Sequence, residues 1–222
     1  MLETVEKKLV GQSVYEQLRV DIMTGQLEPG VKLKLNQLKS RYGASVNTLR
    51  EALMRLVSDG FVRFIDQKGF SVQLVSKEDL YELFELRTML ELTGLEKSMN
   101  NQDGAMDWKS DVISAHYRLS CMEELMMQDE RAHVQAWEQA DRDFHKTIVA
   151  NCGSNQMIRY HTSVLEQYMR YQLLALQKRP FRGSKSQSEH KALLDYIMKG
   201  DVHGAMTTLE HHIAQGVNNP GA

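Results

Sequence analysis

The sequence predicts a mainly α-helical protein in two parts: a small front of short helices closed by a β-hairpin, and a larger back built of helices alone. Three observations predict it. Apolar residues recur at three- and four-residue intervals through most of the chain, the spacing that gathers side chains on one face of a helix. Across Phe61–Ile65 and Phe70–Leu74 the period changes to two, the mark of a half-buried strand pair. Charge divides near the same place. Of 27 basic and 29 acidic side chains, 11 and 8 fall in the first 76 residues, a net +3, and the remainder carries −5. A basic front attached to an acidic back fits a polyanion-binding domain joined to one with a different task.

A chain of 222 residues, 42% hydrophobic and 25% charged, is ordinary for a globular protein and long enough for two cores. The expected domains are residues 1–75 and 76–222. No apolar run approaches the ~20 residues a membrane span needs, and Met1-Leu-Glu-Thr-Val-Glu-Lys-Lys8 lacks the apolar stretch of a signal peptide, so a cytoplasmic protein without a membrane partner is expected. Cys121 and Cys152 lack paired spacing and are expected to be small core residues.

In the front, Val10, Val14, Leu18 and Ile22 form the stripe of a first helix that ends near Thr24-Gly25. Glu28-Pro29-Gly30 turns the chain into a short second helix marked by Leu35, Leu38 and Tyr42 and closed by Gly43. Ser45 is a good N-cap for a third helix, in which Leu49, Ala52, Leu53 and Leu56 share one face and Asn47, Arg50, Glu51 and Met54 the other. The hairpin follows, turning at Asp66-Gln-Lys-Gly69. Three small helices and a hairpin make a winged helix-turn-helix.

From Ser76 the strand period does not return. Ser76 with Asp79 has the capping spacing for a helix to about Asn100, and further helices are expected over about 107–128, 132–151, 155–177, 186–199 and 201–216. Ser186 with Glu189 repeats the capping spacing, and Gly200-Asp201 ends one helix and begins the last.

A helix that reads DNA needs polar side chains near its N-terminus and a preceding helix to brace it against phosphates, and residues 35–56 supply both. Lys68-Gly69 at the hairpin tip can approach a phosphate or the minor groove, although such a lysine is also ordinary solvated surface. Lys39 and Arg41 stand between phosphate contact and solvated surface in the same way. Leu38-Lys-Ser-Arg-Tyr-Gly-Ala-Ser-Val-Asn-Thr-Leu-Arg-Glu-Ala-Leu53, continued by Arg55-Leu-Val-Ser-Asp-Gly60 and by Gln67-Lys-Gly-Phe-Ser-Val72, resembles the front domain of GntR-family regulators. The resemblance implies operator contacts by Arg50 and Thr48 and a wing-tip role for Gly69. With Asn36, Lys39, Arg41, Ser45, Asn47 and Lys68, these complete the expected DNA-binding set. Two positions depart from the family pattern: Val46 stands where an arginine is usual, and Asn36 replaces another. An arginine paired to guanine carries about 1–3 kcal/mol of base discrimination, so the usual operator sequence is not expected.

In the back, Asp141 and His145 are four apart and flank the stripe of Trp137, Ala140, Phe144 and Ile148, while Asp143 points elsewhere. His190 shares its face with Leu193, Leu194 and Ile197; His212 lies beside Leu209 and Ile213, with His211 on the opposite side. One carboxylate and three imidazoles converging from three helices suit a borderline divalent ion such as zinc, nickel or manganese. A single histidine on an apolar face is as readily a hydrogen-bonded core residue. Asp141-Arg-Asp-Phe-His145, then Glu189-His190, then Gly200-Asp201 leading to His212-Ile213 resembles the metal-binding FCD effector domain of FadR-type regulators. That resemblance implies a metal at Asp141, His145, His190 and His212. Arg87, mid-stripe among Leu80, Leu83, Phe84 and Leu90, either pairs internally with Glu91 or, as the resemblance to Leu-Arg-x-x-Leu-Glu implies, receives the carboxylate of an organic acid. Asn155 matches a family asparagine and also reads as a helix cap.

The function implied is that of a homodimeric regulator, a repressor released from a palindromic operator in double-stranded DNA by a small carboxylate effector; the wing and first effector helix look closest to regulators of dicarboxylate or glutarate use. Two alternatives stay open: a metal-dependent hydrolase using the same Asp/His site, and a metal-free sensor of the acyl-CoA type.

Overall fold

The computed structural model describes residues 2–178 and 180–217, with side chains from residue 11 onward, and the chain divides into two compact units, residues 1–76 and 77–222. The first unit contains α1 (Leu2–Met23), β1 (Lys32–Leu33), α2 (Leu35–Tyr42), α3 (Val46–Ser58), β2 (Val62–Ile65) and β3 (Gly69–Val72). The second contains α4 (Lys77–Asn100), α5 (Ala105–Gln128), α6 (Glu130–Ile148), α7 (Asn155–Leu176), α8 (Ser184–Lys199) and α9 (Val202–Val217).

In the first unit the stripe of α1 is buried as its spacing requires, with Val14, Leu18 and Ile22 inside; the Val10 side chain lies outside those described. It packs on α3, whose Leu49, Ala52, Leu53 and Leu56 are sealed. Gly43 ends α2 at φ 63°, a left-handed conformation that glycine adopts without steric cost, and lets the chain turn sharply into α3. The sheet has three antiparallel strands in the order β1-β3-β2, with Phe64 opposite Phe70 and Leu33 opposite Phe70 on the other side. β1 carries no sequence signal because two residues are too few to display an alternation.

In the second unit α5 packs on α6, α4 on α7 and α9, and α8 on α9 and α5. Small differences from the expected helix bounds have local causes. α7 begins after Ser154, whose hydroxyl accepts from Met157 N at 3.3 Å, so Ser154 and not Asn155 is the cap. α8 begins at Ser184, two residues before Ser186, and Ser186 is buried inside its first turn. Glu189 is then free of any capping duty and turns to other partners. Asp201 does cap the last helix, accepting from Gly204 N at 2.9 Å. Both cysteines are free thiols, Cys152 buried and Cys121 partly so. Among the described residues no helix is long and apolar enough to cross a membrane.

Candidate DNA-binding face and metal centre

On α3 the buried stripe forces the opposite side outward, and Asn47, Arg50, Glu51, Met54 and Arg55 are exposed there. Arg50 also borders an open groove of about 520 Å³ with Asn36, Lys32, Lys34, Phe64 and Gly69. The fold therefore gathers Arg50, Asn36 and Gly69 at one place and adds Lys32 and Lys34, two cations beside β1 that no periodicity marks. Lys68 is exposed at the hairpin tip, beside Gly69 at φ 81°. Ser45 and Thr48 face each other: the Ser45 hydroxyl accepts from Thr48 N at 3.1 Å, and the two hydroxyls are 2.8 Å apart. Arg41 is turned back toward α1, where its guanidinium meets Asp21 at 2.6 Å and donates to Gln26 at 3.2 Å. Asp21 also accepts from Tyr42 Oη at 2.5 Å, so Arg41 belongs to a bracket between α1 and α2. Lys39 stays in solvent.

In the second unit the four residues singled out from sequence come together. Asp141 and His145 rise from α6, His190 from α8 and His212 from α9. One ring nitrogen from each of the three histidines lies within 4.8 Å of the others. His190 Nε2 is 3.2 Å from His212 Nε2 and 3.5 Å from Asp141 Oδ1, which is 4.0 Å from His145 Nε2. Nitrogens sharing one ion at ~2.1 Å stand at most ~4.2 Å apart, so the widest pair would close by about half an ångström. Phe144, edge-on to His145 at 5.6 Å and His190 at 5.4 Å, wedges the two rings into place.

Each imidazole meets a carboxylate on its far side. His145 Nδ1 contacts Glu91 of α4, His190 Nδ1 is 2.8 Å from Glu123 of α5, and His212 Nδ1 is 2.8 Å from Glu189 of α8. A carboxylate that accepts the Nδ1 proton leaves the Nε2 lone pair for a metal, the usual outer support of metal-bound histidine. Burial raises Glu91, but the Arg87 guanidinium and then His145 overcome this and hold it well below the usual carboxylate range, so it accepts from both. Burial, with the charges of His190 and His145, holds His212 well below the ordinary histidine value; burial also lowers His145. At His190 burial pulls down too, but the hydrogen bond and charge of Glu123 prevail and the value is raised. Two of the three rings are thus kept neutral, the form that binds metal.

His145 Nε2 is sealed from solvent and has no hydrogen-bond partner among the described residues. A buried polar atom left unmet costs about 1–3 kcal/mol. A cation is what this arrangement fits: an orphaned lone pair facing two further imidazoles and a carboxylate.

Asp141 and His212 also line a cavity of about 60 Å³ together with Trp137, Tyr168, Phe181, Ile213, Arg87 and Arg182. Arg87 is 3% exposed; its Nε donates to Glu91 Oε2 at 2.8 Å and its Cζ lies 4.6 Å from the Tyr168 ring centre. The internal ion pair accounts for Nε, while Nη2 is buried with no hydrogen-bond partner among the described residues. Trp137 Nε1, another lining donor, is also unmet. The spacing argument placed Trp137 only in an apolar stripe and did not name Glu123, His161 or Arg182. Glu123 sits on the buried phase of Trp108, Val112, Ala115, Leu119 and Met126, and that phase was the available signal.

A winged helix carrying an exposed reading face, in one chain with a helical bundle that encloses polar donors, defines a DNA-binding transcription regulator with a sensor domain. Residues 10–72 match the family of bacterial regulatory proteins described as gntR, and residues 82–215 match the FCD domain. The chain belongs to the GntR family and carries an FCD domain. It is 35% identical over 208 residues, 93% of this chain and 83% of the relative, to the HTH-type transcriptional regulator BphR of Paraburkholderia xenovorans strain LB400. It is 27% identical over 202 residues, 90% of each chain, to the HTH-type transcriptional repressor GlaR of Escherichia coli K12. The solved structure of E. coli McbR/YncC has the same fold, with a TM-score of 0.75 at 21% identity over 94% of this chain and 95% of that one. These relatives are transcriptional regulators and not enzymes. GntR regulators bind DNA, and FCD domains bind small-molecule effectors.

Proposed function

We propose that the protein is a repressor that binds a palindromic operator as a homodimer and is released when a small organic acid occupies the FCD cavity beside a divalent metal ion. The observation that carries this reading is that Arg87, whose Nη2 has no hydrogen-bond partner among the described residues, lines one cavity with two of the four proposed metal ligands, Asp141 and His212. Asp141, His145, His190 and His212 would hold zinc, nickel or manganese, and the ion would supply a Lewis-acid site for one carboxylate oxygen. Arg87 orients that carboxylate by charge-assisted hydrogen bonding, and Trp137 Nε1 is a further donor. The apolar walls exclude water and strengthen both interactions.

Operator contact falls to Arg50, Asn47 and Asn36, with Lys39, Lys68 and Gly69 at the phosphates. Each chain presents one reading helix, so a palindrome calls for two copies related by a twofold axis. The name of GlaR as a repressor supports the sign of regulation. Effector binding at one unit alters operator affinity at the other by a coupling of about 1–3 kcal/mol, typical of such regulators.

The test has two arms. DNA is selected from a random pool by the purified protein, and binding is followed by fluorescence anisotropy with and without a panel of organic acids. Loss of the complex in Arg50→Ala, and its release by an acid in the wild type but not in Arg87→Ala, is the expected result. Metal analysis of the purified protein against His190→Ala forms the second arm. An equal metal content in both would refute the proposed ligand set.

A further inference from the structure

Glu91 is completely buried, and its two oxygens face three side chains from three helices. Oε1 meets His145 Nδ1 of α6. Oε2 accepts from Arg87 Nε of its own helix at 2.8 Å and lies 3.4 Å from His161 Nε2 of α7. Neither His145 nor His161 has any solvent exposure. The other two imidazoles of the proposed metal centre are backed differently: Glu123 Oε2 has no hydrogen-bond partner among the described residues, and Glu189 pairs with Arg182. Glu91 alone therefore joins a metal-binding histidine to the arginine proposed to receive the acid.

We propose that Glu91 is the positioning residue of this sensor, fixing the His145 tautomer so that Nε2 offers its lone pair to the cation while the same carboxylate sets the Arg87 fork toward the cavity. The inference rests on the metal reading above. Arg87 Nε and His145 Nδ1 are both donors when so placed, and they meet different oxygens of Glu91, Oε2 and Oε1. Glutamine supplies one oxygen and one amide, so in Glu91→Gln one of the two must lose its partner. Arg87 Nε always carries its proton, whereas imidazole can move its own to Nε2. The amide therefore faces His145, whose Nδ1 becomes an acceptor and whose Nε2 is blocked by a proton.

The experiment uses the full chain and Zn²⁺ alone, with affinity measured by chelator competition for wild type, Glu91→Gln, His145→Ala and the double variant. Glu91→Gln should weaken zinc binding by about 10- to 100-fold, the usual effect of losing an outer partner of a metal-bound histidine. In the His145→Ala background the same change should cost less than about twofold, because contacting residues that act through one another are not additive. Long-range ¹⁵N–¹H spectra of the metal-free protein should show the His145 proton on Nδ1 in the wild type and on Nε2 in Glu91→Gln. Wild-type zinc affinity in Glu91→Gln, or an equal loss in both backgrounds, overturns the proposal while leaving the metal reading intact. A wild type that takes up no zinc overturns both. If Glu91→Gln loses its helical circular dichroism, Glu91→Asp replaces it: the shorter carboxylate withdraws from His145 Nδ1 and no longer fixes its tautomer, and unchanged zinc affinity there also overturns the proposal.

Discussion

Arg50 and Lys68 are both proposed to meet DNA but answer to different physics. Arg50 sits on the exposed face of α3 and borders the groove under the wing, where a guanidinium can meet a base edge. Arg50→Ala is expected to cost about 1–3 kcal/mol of operator affinity and to relax preference at one base pair, read from anisotropy against single-base operator variants. Lys68 can offer only a point charge to phosphate. Lys68→Ala should weaken binding to all sequences alike and reduce the salt dependence by about one unit of slope. Single residues were also where the sequence was least complete. Asp141, His145, His190 and His212 were picked out as polar residues beside apolar stripes and, as a metal set, through the resemblance to the FCD pattern; the fold brings the three histidines together. Glu123 and His161 occupy the buried phase of their helices, yet a lone glutamate in an acidic stretch or a histidine near polar residues gives no sign of its partner until the helices are packed.

At the scale of the element, the helices were readable from periodicity, and the errors concern ends and very short pieces. Two residues of β1 carry no period, and Ser186 with Glu189 imitates a capping pair although Ser186 lies inside α8 and Glu189 serves His212 and Arg182. The cap of α3 was read correctly. Ser45→Ala removes the acceptor for Thr48 N and should destabilise the first unit by about 1 kcal/mol in urea unfolding. Helix contact is tested by Gly94 of α4, where an added Cβ would lie 2.9 Å from Val149 Cβ and Cγ1. Gly94→Ala gains helix propensity but forces α4 away from the end of α6, and the net loss is expected to be about 1–3 kcal/mol. Because Glu91 lies one turn away on the same helix, zinc affinity should fall in this variant as well.

For the whole molecule, two units with separate cores match the two sequence periods and the change in charge. What composition cannot supply is the convergence of α4, α5, α6, α8 and α9 on one cluster of imidazoles and carboxylates, since that depends on tertiary packing. Removing the proposed metal tests that convergence at the largest scale. A ligand that binds only the folded state at about a hundred times its dissociation constant contributes about 2.7 kcal/mol. Chelation should therefore lower the melting temperature of the wild type, resupply should restore it, and His190→Ala should respond to neither. His145 and His190 are sealed while Asp141 and His212 border the cavity, with the His212 side chain 11% exposed. On the proposed function both guests would enter through this one opening, the ion first. An organic acid lodged against Arg87 becomes a stopper over the ion beneath it, so chelators should strip the metal more slowly from the effector-bound regulator than from the empty one.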